Sequence, residues 1–191
     1  MVERGLPWVL AVGGTIGLVA AVVLLVEKIA LLEDPTYVPS CSINPILSCG
    51  SVMRTAQAEA FGFPNPIIGV AGFAGAATVG FALLAGAELR RWFRLGLQVG
   101  VTFGIGFVHW LVFQSLYRID ALCPYCMVVW AVMIPIFWYT SLWNLQASPI
   151  ARRGTVRRLV EFHGVGLTLW YLVIVGLVGQ RFWDYWTTLL P

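Results

Sequence analysis

The sequence predicts an all-α integral membrane protein, and three observations carry that reading. Of its 191 residues, 59% are hydrophobic and only 11% charged, with a mean hydropathy of +0.83. A soluble domain carries about 25% charged residues, so this chain cannot cover a soluble surface. Five runs lack Asp, Glu, Lys and Arg altogether: residues 6–26, 66–87, 95–117, 123–145 and 162–180. Each matches the roughly 20 apolar residues a helix needs to cross a hydrocarbon core of about 30 Å. None alternates apolar with polar residues in segments of about ten, as the strands of a membrane barrel would. The composition also excludes a disordered chain, and a net charge of +3 without a basic stripe excludes a nucleic-acid binder.

The first run is too long for the apolar region of a cleaved signal peptide, about 7–15 residues, and no small-x-small cleavage site follows it. It reads as a retained span. Residues 27–65 form a long polar connection. Within it, residues 52–61 mix apolar side chains with Arg54, Gln57 and Glu59 and read as a short helix lying in the interface, capping the bundle. The second and third spans carry Gly69, Gly72, Gly75, Gly80, Gly100 and Gly104, small residues suited to close helix packing. His109 sits mid-span in the third, where an ionisable group is a candidate for proton delivery; a neutral ring bonded to a neighbouring carbonyl is the competing reading. Pro135 is expected to kink the fourth span. His163 lies at the edge of the fifth and reads as interfacial. Trp8, Trp92, Trp143 and Trp183 fall near span ends, as an aromatic belt does.

Basic residues set the orientation. One side holds Arg4, Arg90, Arg91, Arg94, Arg152, Arg153, Arg157 and Arg158; the other holds Lys28, Arg54, Arg118 and Arg181 with six acids. The N-terminus is therefore expected in the cytoplasm and the C-terminus outside. All four cysteines then fall on the outer, oxidising side, where disulfides persist.

Cys123-Pro124-Tyr125-Cys126 is a C-x-x-C opening a helix, with both sulfurs on one face. A helix N-terminus and this spacing both favour the thiolate, the nucleophile of disulfide exchange. Cys41 and Cys49 flank seven residues that include Pro45 and read as loop. A mobile loop pair facing a fixed pair at the membrane surface can relay two electrons. Four cysteines allow three pairings, and the sequence alone does not choose among them. Two structural disulfides in a non-catalytic transport or assembly subunit would give the same count. A four-cysteine zinc site fits less well, because a spacing of seven is too wide for a zinc knuckle, and no metal is expected.

Taken together, Cys41-x7-Cys49, Gly50, Ser51, Thr55, the run Phe61-Gly62-Phe63-Pro64-Asn65-Pro66 and Cys123-Pro124-Tyr125-Cys126 resemble the bacterial homologues of vitamin K epoxide reductase over roughly residues 8–180. The resemblance implies a four-helix transmembrane bundle around a quinone near the outer surface, with a fifth helix alongside and residues 1–191 as one membrane domain. It implies a thiol–quinone oxidoreductase of the bacterial cytoplasmic membrane that supports disulfide formation in secreted proteins. The acceptor would be menaquinone, ubiquinone or a vitamin K-like quinone. The electron donor would be a thioredoxin-like protein of the DsbA type, acting in trans because no thioredoxin-like domain follows the fifth span. The resemblance further implies that electrons pass from the loop pair, Cys41 and Cys49, to the inner pair, Cys123 and Cys126. Cys41 would meet the partner, Cys49 would attack Cys123, and Cys126 would reduce the quinone. Asn65 matches the family asparagine that bonds a quinone carbonyl. Trp130, one helical turn after Cys126, stands where animal relatives place a quinone-contacting tyrosine. Thr55 matches a supporting hydroxyl.

Overall fold

The computed structural model describes residues 2–44, 46–149 and 154–188. Pro45 of the loop reading and Arg152 and Arg153 of the basic clusters lie outside the described residues. The chain divides into two compact units, residues 1–144 and 145–191. In the first, the chain runs through α1 (Val2–Trp8), a π turn (Val9–Gly13), α2 (Gly14–Glu33), α3 (Cys49–Met53), a 3-10 turn (Ala56–Glu59), α4 (Pro66–Leu84), α5 (Arg91–Gln114), a second π turn (Ser115–Ile119) and α6 (Pro124–Gln146). The second holds α7 (Gly154–Glu161), α8 (His163–Arg181) and α9 (Trp183–Thr188). Among the described residues there is no strand, only an isolated bridge. Five stretches are long and apolar enough to cross a membrane: Arg4–Glu33, Pro66–Leu84, Arg91–Ile119, Pro124–Gln146 and His163–Arg181. The protein is a multi-pass helical membrane protein, and each expected run falls on one of these helices. α6 continues through Pro135 without interruption.

Glycine sets how closely α2 and α4 approach. A Cβ at Gly14 would lie 2.6 Å from the Ala77 amide nitrogen, one at Gly17 would overlap the Phe73 ring, and one at Gly80 would fall on the backbone of Ala11 in the π turn. The reading of the second- and third-span glycines, on α4 and α5, as packing residues therefore holds only in part. Gly80, Gly69 (3.1 Å to Ala21 Cβ) and Gly104 (2.8 Å to Met133 Cε) do face neighbours. Gly72, Gly75 and Gly100 do not: a Cβ there would meet nothing within 4 Å. They line a cavity instead.

The expected interfacial helix over residues 52–61 is corrected to two shorter pieces, α3 and the 3-10 turn, starting three residues earlier. Ser48 caps α3, its hydroxyl accepting from the Ser51 N–H at 3.2 Å. Thr55 is extended, with φ −85° and ψ 152°, which ends the helix. Lys28 Nζ donates to the Met53 carbonyl at 2.7 Å, satisfying a C-terminal acceptor that a longer helix would have used.

The first span is also longer than its uncharged run. α2 continues to Glu33, so Glu27 and Lys28 stand on the helix and are buried. Each holds part of the connection. Glu27 accepts from Tyr37 Oη at 2.9 Å and from the Ser40 hydroxyl at 2.5 Å. Lys28 pairs with Glu59 at 2.8 Å as well as binding Met53.

Candidate redox site

The two cysteine segments are brought together by backbone pairing. The left-handed conformation of Asp120 (φ 57°) turns the chain out of the second π turn; Asp adopts that region more readily than most residues. The chain then lies beside residues 46–48, where Leu47 and Leu122 form a parallel bridge. The Leu122 N–H donates to the Ile46 carbonyl at 2.7 Å, and the Ser48 N–H to the Leu122 carbonyl at 2.9 Å. Gly50 permits the loop to fold over the start of α3: its N–H donates to Ser42 Oγ at 3.2 Å, and a Cβ there would press on Pro39 and Ser42 at 3.3 Å.

Cys41 and Cys49 form a disulfide, while Cys123 and Cys126 are thiols. Cys123 Sγ lies 3.1 Å from Cys49 Sγ, and the sulfurs of Cys41, Cys49 and Cys123 all lie within 4.8 Å of one another. They sit in an apolar cluster with Leu24, Leu31 and Met53. A reading as two structural disulfides gains no support from a dithiol at the second pair. Three clustered sulfurs could also ligate a metal by position, but two of them are joined to each other, and a bonded pair has no thiolate to offer an ion.

Cys123 has its pKa lowered despite burial. The hydrogen bond from the Cys126 thiol is the largest cause, helped by the backbone N–H groups of Cys126 and Tyr125 at the helix start. Those amides have no intrahelical partner and favour negative charge. The Cys123 thiol, in contact with Cys49, is thus held below the usual cysteine range.

Cys126 opens onto a cavity of about 720 Å³ bounded by α2, α3, α4, α5 and α6. Its wall is almost wholly apolar, with a small set of polar groups that includes Lys28, Thr55, Asn65 and Cys126, the pattern of a small-molecule site. Asn65 is nearly buried; its amide donates to the Gln57 carbonyl at 2.7 Å and accepts from the Ala60 N–H at 3.0 Å. An amide nitrogen carries two hydrogens, so a second remains for a ligand. Trp130 is 3% exposed, and its indole N–H is buried without a hydrogen-bond partner. An orphaned buried donor is costly, and a carbonyl-bearing apolar ligand would satisfy it. Thr55 also lines the cavity, with its hydroxyl donating to the Val52 carbonyl at 2.7 Å. His109 does not face the cavity; its Nδ1 lies 2.8 Å from the Ile105 carbonyl, as expected of a ring bonded to its own helix.

The sequence reading missed Glu27 and Lys28, treating them as loop charges. The signal was present: Ile29-Ala30-Leu31-Leu32 follows them. An apolar stretch resuming after two charges means the helix continues, and charges inside such a helix are costly and specifically placed.

The fold and the site define a class, a helical membrane protein that gathers four cysteines beside an apolar cavity. The model of the vitamin K epoxide reductase family matches residues 8–141, well over half of the sequence and all four cysteines, and the chain belongs to that family. Membership makes it, in general terms, a membrane thiol–quinone oxidoreductase. No curated protein matches the chain.

Proposed function

We propose that the protein reoxidises a thioredoxin-like protein outside the cytoplasm, in a bacterial cytoplasmic membrane, and passes two electrons inward through its four cysteines to a quinone. The observation that carries this reading is the 3.1 Å contact between Cys49 and Cys123, with Cys41 bonded to the first and Cys126 on the cavity wall beside the second.

The exchanges balance as follows. A thiolate of the partner attacks Cys41, and Cys49 leaves; the partner's second thiol then closes its own disulfide and frees Cys41. Cys49 attacks Cys123 in an oxidised Cys123–Cys126 pair, and Cys126 leaves. Cys41 displaces Cys123 from Cys49, restoring the loop disulfide. A loop disulfide beside two free inner cysteines supports this order of steps. A quinone bound in the cavity supplies a two-electron acceptor of low polarity. Cys126 faces it, Asn65 and Trp130 orient its carbonyl oxygens with N–H donors, and Thr55 supports α3. Gly72, Gly75 and Gly100 leave open space on the cavity wall, where an apolar tail would fit.

Cys41 is only 5% exposed, so partner access requires the segment around it to open. Val38 and Ile43, 71% and 70% exposed, flank it and offer apolar contact to a docking protein.

The test is turnover with a reduced thioredoxin-like protein and a quinone, in the wild type and in Cys41→Ala. The variant should lose oxidation of the protein partner while still oxidising small dithiols. Partner oxidation at the wild-type rate would remove Cys41 as the entry point.

A further inference from the structure

Exchange through sulfur moves electron pairs, and it leaves protons behind. Each cysteine displaced in the relay departs as a thiolate. Both inner sulfurs are displaced in this way, so exchange carries no hydrogen to them; of the two only Cys126 lines the cavity, and the one proton it takes up on leaving is the proton the pair can pass to a ring oxygen. Closing their disulfide releases two electrons and one proton. Conversion of a quinone into its hydroquinone takes two electrons and two protons. One proton is missing, and the cavity wall must supply it.

Among the described residues lining the cavity, the titratable side chains are Cys126 and Lys28. Lys28 is 5% exposed, and its ammonium has three N–H donors. One bonds the Met53 carbonyl at 2.7 Å and another the Glu59 carboxylate at 2.8 Å. The third is left for the cavity. Glu59 does not line the cavity, and its side chain is 37% exposed. A cavity-facing ammonium is thus joined directly to a water-facing carboxylate. His109, the other intramembrane candidate, is absent from the wall.

We propose that Lys28 delivers the second proton of quinone reduction and is reloaded from outer water through Glu59. This rests on the functional reading above. Per turnover, Cys126 and Lys28 each give one proton to a ring oxygen, and the Cys123 and Cys126 sulfurs give two electrons and form their disulfide. The Glu59 carboxylate accepts a proton from outer water and passes it to neutral Lys28, which restores the ion pair. Charge and hydrogen balance without another reactant.

The experiment compares wild type, Lys28→Arg, Lys28→Gln and Glu59→Gln in detergent, with a reduced thioredoxin-like donor and a short-chain quinone. Quinone reduction is followed by absorbance, and sulfur exchange is followed separately by thiol trapping and mass spectrometry. Arginine keeps the charge and both hydrogen bonds but does not release its proton. Lys28→Arg and Lys28→Gln should both lower kcat by about a hundredfold, within the range of general acid catalysis, with KM little changed. Glu59→Gln should show a first turnover near the wild-type rate followed by slow steady turnover, because Lys28 begins loaded and is not refilled. Lys28→Arg working at the wild-type kcat would overturn the proposal, since a structural or purely electrostatic role survives that change. Undiminished steady turnover in Glu59→Gln would overturn the route through Glu59. If the wild type exchanges sulfurs but reduces no quinone, the functional reading itself falls, and this proposal with it.

Discussion

Leu47 pairs with Leu122, and that one pairing places Cys49, two residues beyond the first, against Cys123, the residue after the second, at 3.1 Å. The contact depends on backbone hydrogen bonds rather than on side-chain chemistry, so it should survive removal of the other two sulfurs. In Cys126→Ala, Cys49 and Cys123 should therefore still combine. We expect that variant to accumulate the Cys49–Cys123 mixed disulfide, visible as a cross-linked peptide by mass spectrometry, and to reduce no quinone. Full quinone turnover without Cys126 would reverse the assigned roles.

The ionisation of Cys123 gives a second expectation. Its pKa is lowered, first by the hydrogen bond from the Cys126 thiol, and burial acts in the opposite direction. Lowering means that the thiolate forms at a lower pH than in an ordinary cysteine. Replacing Cys126 by Ala removes the largest favourable contribution and leaves the burial, so the pKa should rise. Thiolate absorbance against pH, in a Cys41→Ala/Cys49→Ala background with and without Cys126→Ala, reads this directly. A titration that moves to lower pH on losing Cys126 would contradict the assignment.

Two glycines of α4 should respond oppositely to the same kind of change. At Gly80 a Cβ would fall on the Ala11 backbone, whereas at Gly75 it would meet open space on the cavity wall. Overpacking costs about 1–3 kcal/mol, so Gly80→Ala should lower the thermal midpoint of the purified protein. Gly75→Leu should leave that midpoint nearly unchanged and raise KM for long-tailed quinones, with little effect on short-chain analogues. Equal loss for long and short tails would place the tail elsewhere.

The contrast between those glycines marks what the sequence could tell. Span number and helical class follow from runs of uncharged residues, because the cost of burying charge in hydrocarbon leaves few alternatives. The cysteine spacing likewise announced a loop pair and a helix-bound pair. What spacing could not reveal was which way each glycine faces, since a packing glycine and a cavity glycine have the same missing side chain. Nor could it reveal that Glu27 and Lys28 are turned inward to hold Ser40 and Met53. Those contacts join residues 13 and 25 positions apart through tertiary folding, and they decide where α3 stops and hence where the expected interfacial helix breaks.

Trp130 offers a last test, of the acceptor end of the relay. Its indole N–H is buried in the cavity wall with no partner, whereas the Asn65 amide already serves the loop through Gln57 and Ala60. The two donors therefore differ in what else they do. Trp130→Phe keeps an aromatic body and removes only the N–H; with no structural hydrogen bond to lose, it should leave stability intact. If the N–H bonds a quinone carbonyl, its loss should cost about 0.5–1.5 kcal/mol, a two- to tenfold or so fall in kcat/KM for quinone. Asn65→Ala should reduce kcat/KM too, and should also destabilise the fold, because the Ala60 N–H and the Gln57 carbonyl lose their partners. Thermal unfolding measured beside quinone kinetics separates the two. A Trp130→Phe protein with wild-type kcat/KM would mean that the indole N–H plays no part in binding and that Trp130 serves the wall by its bulk alone.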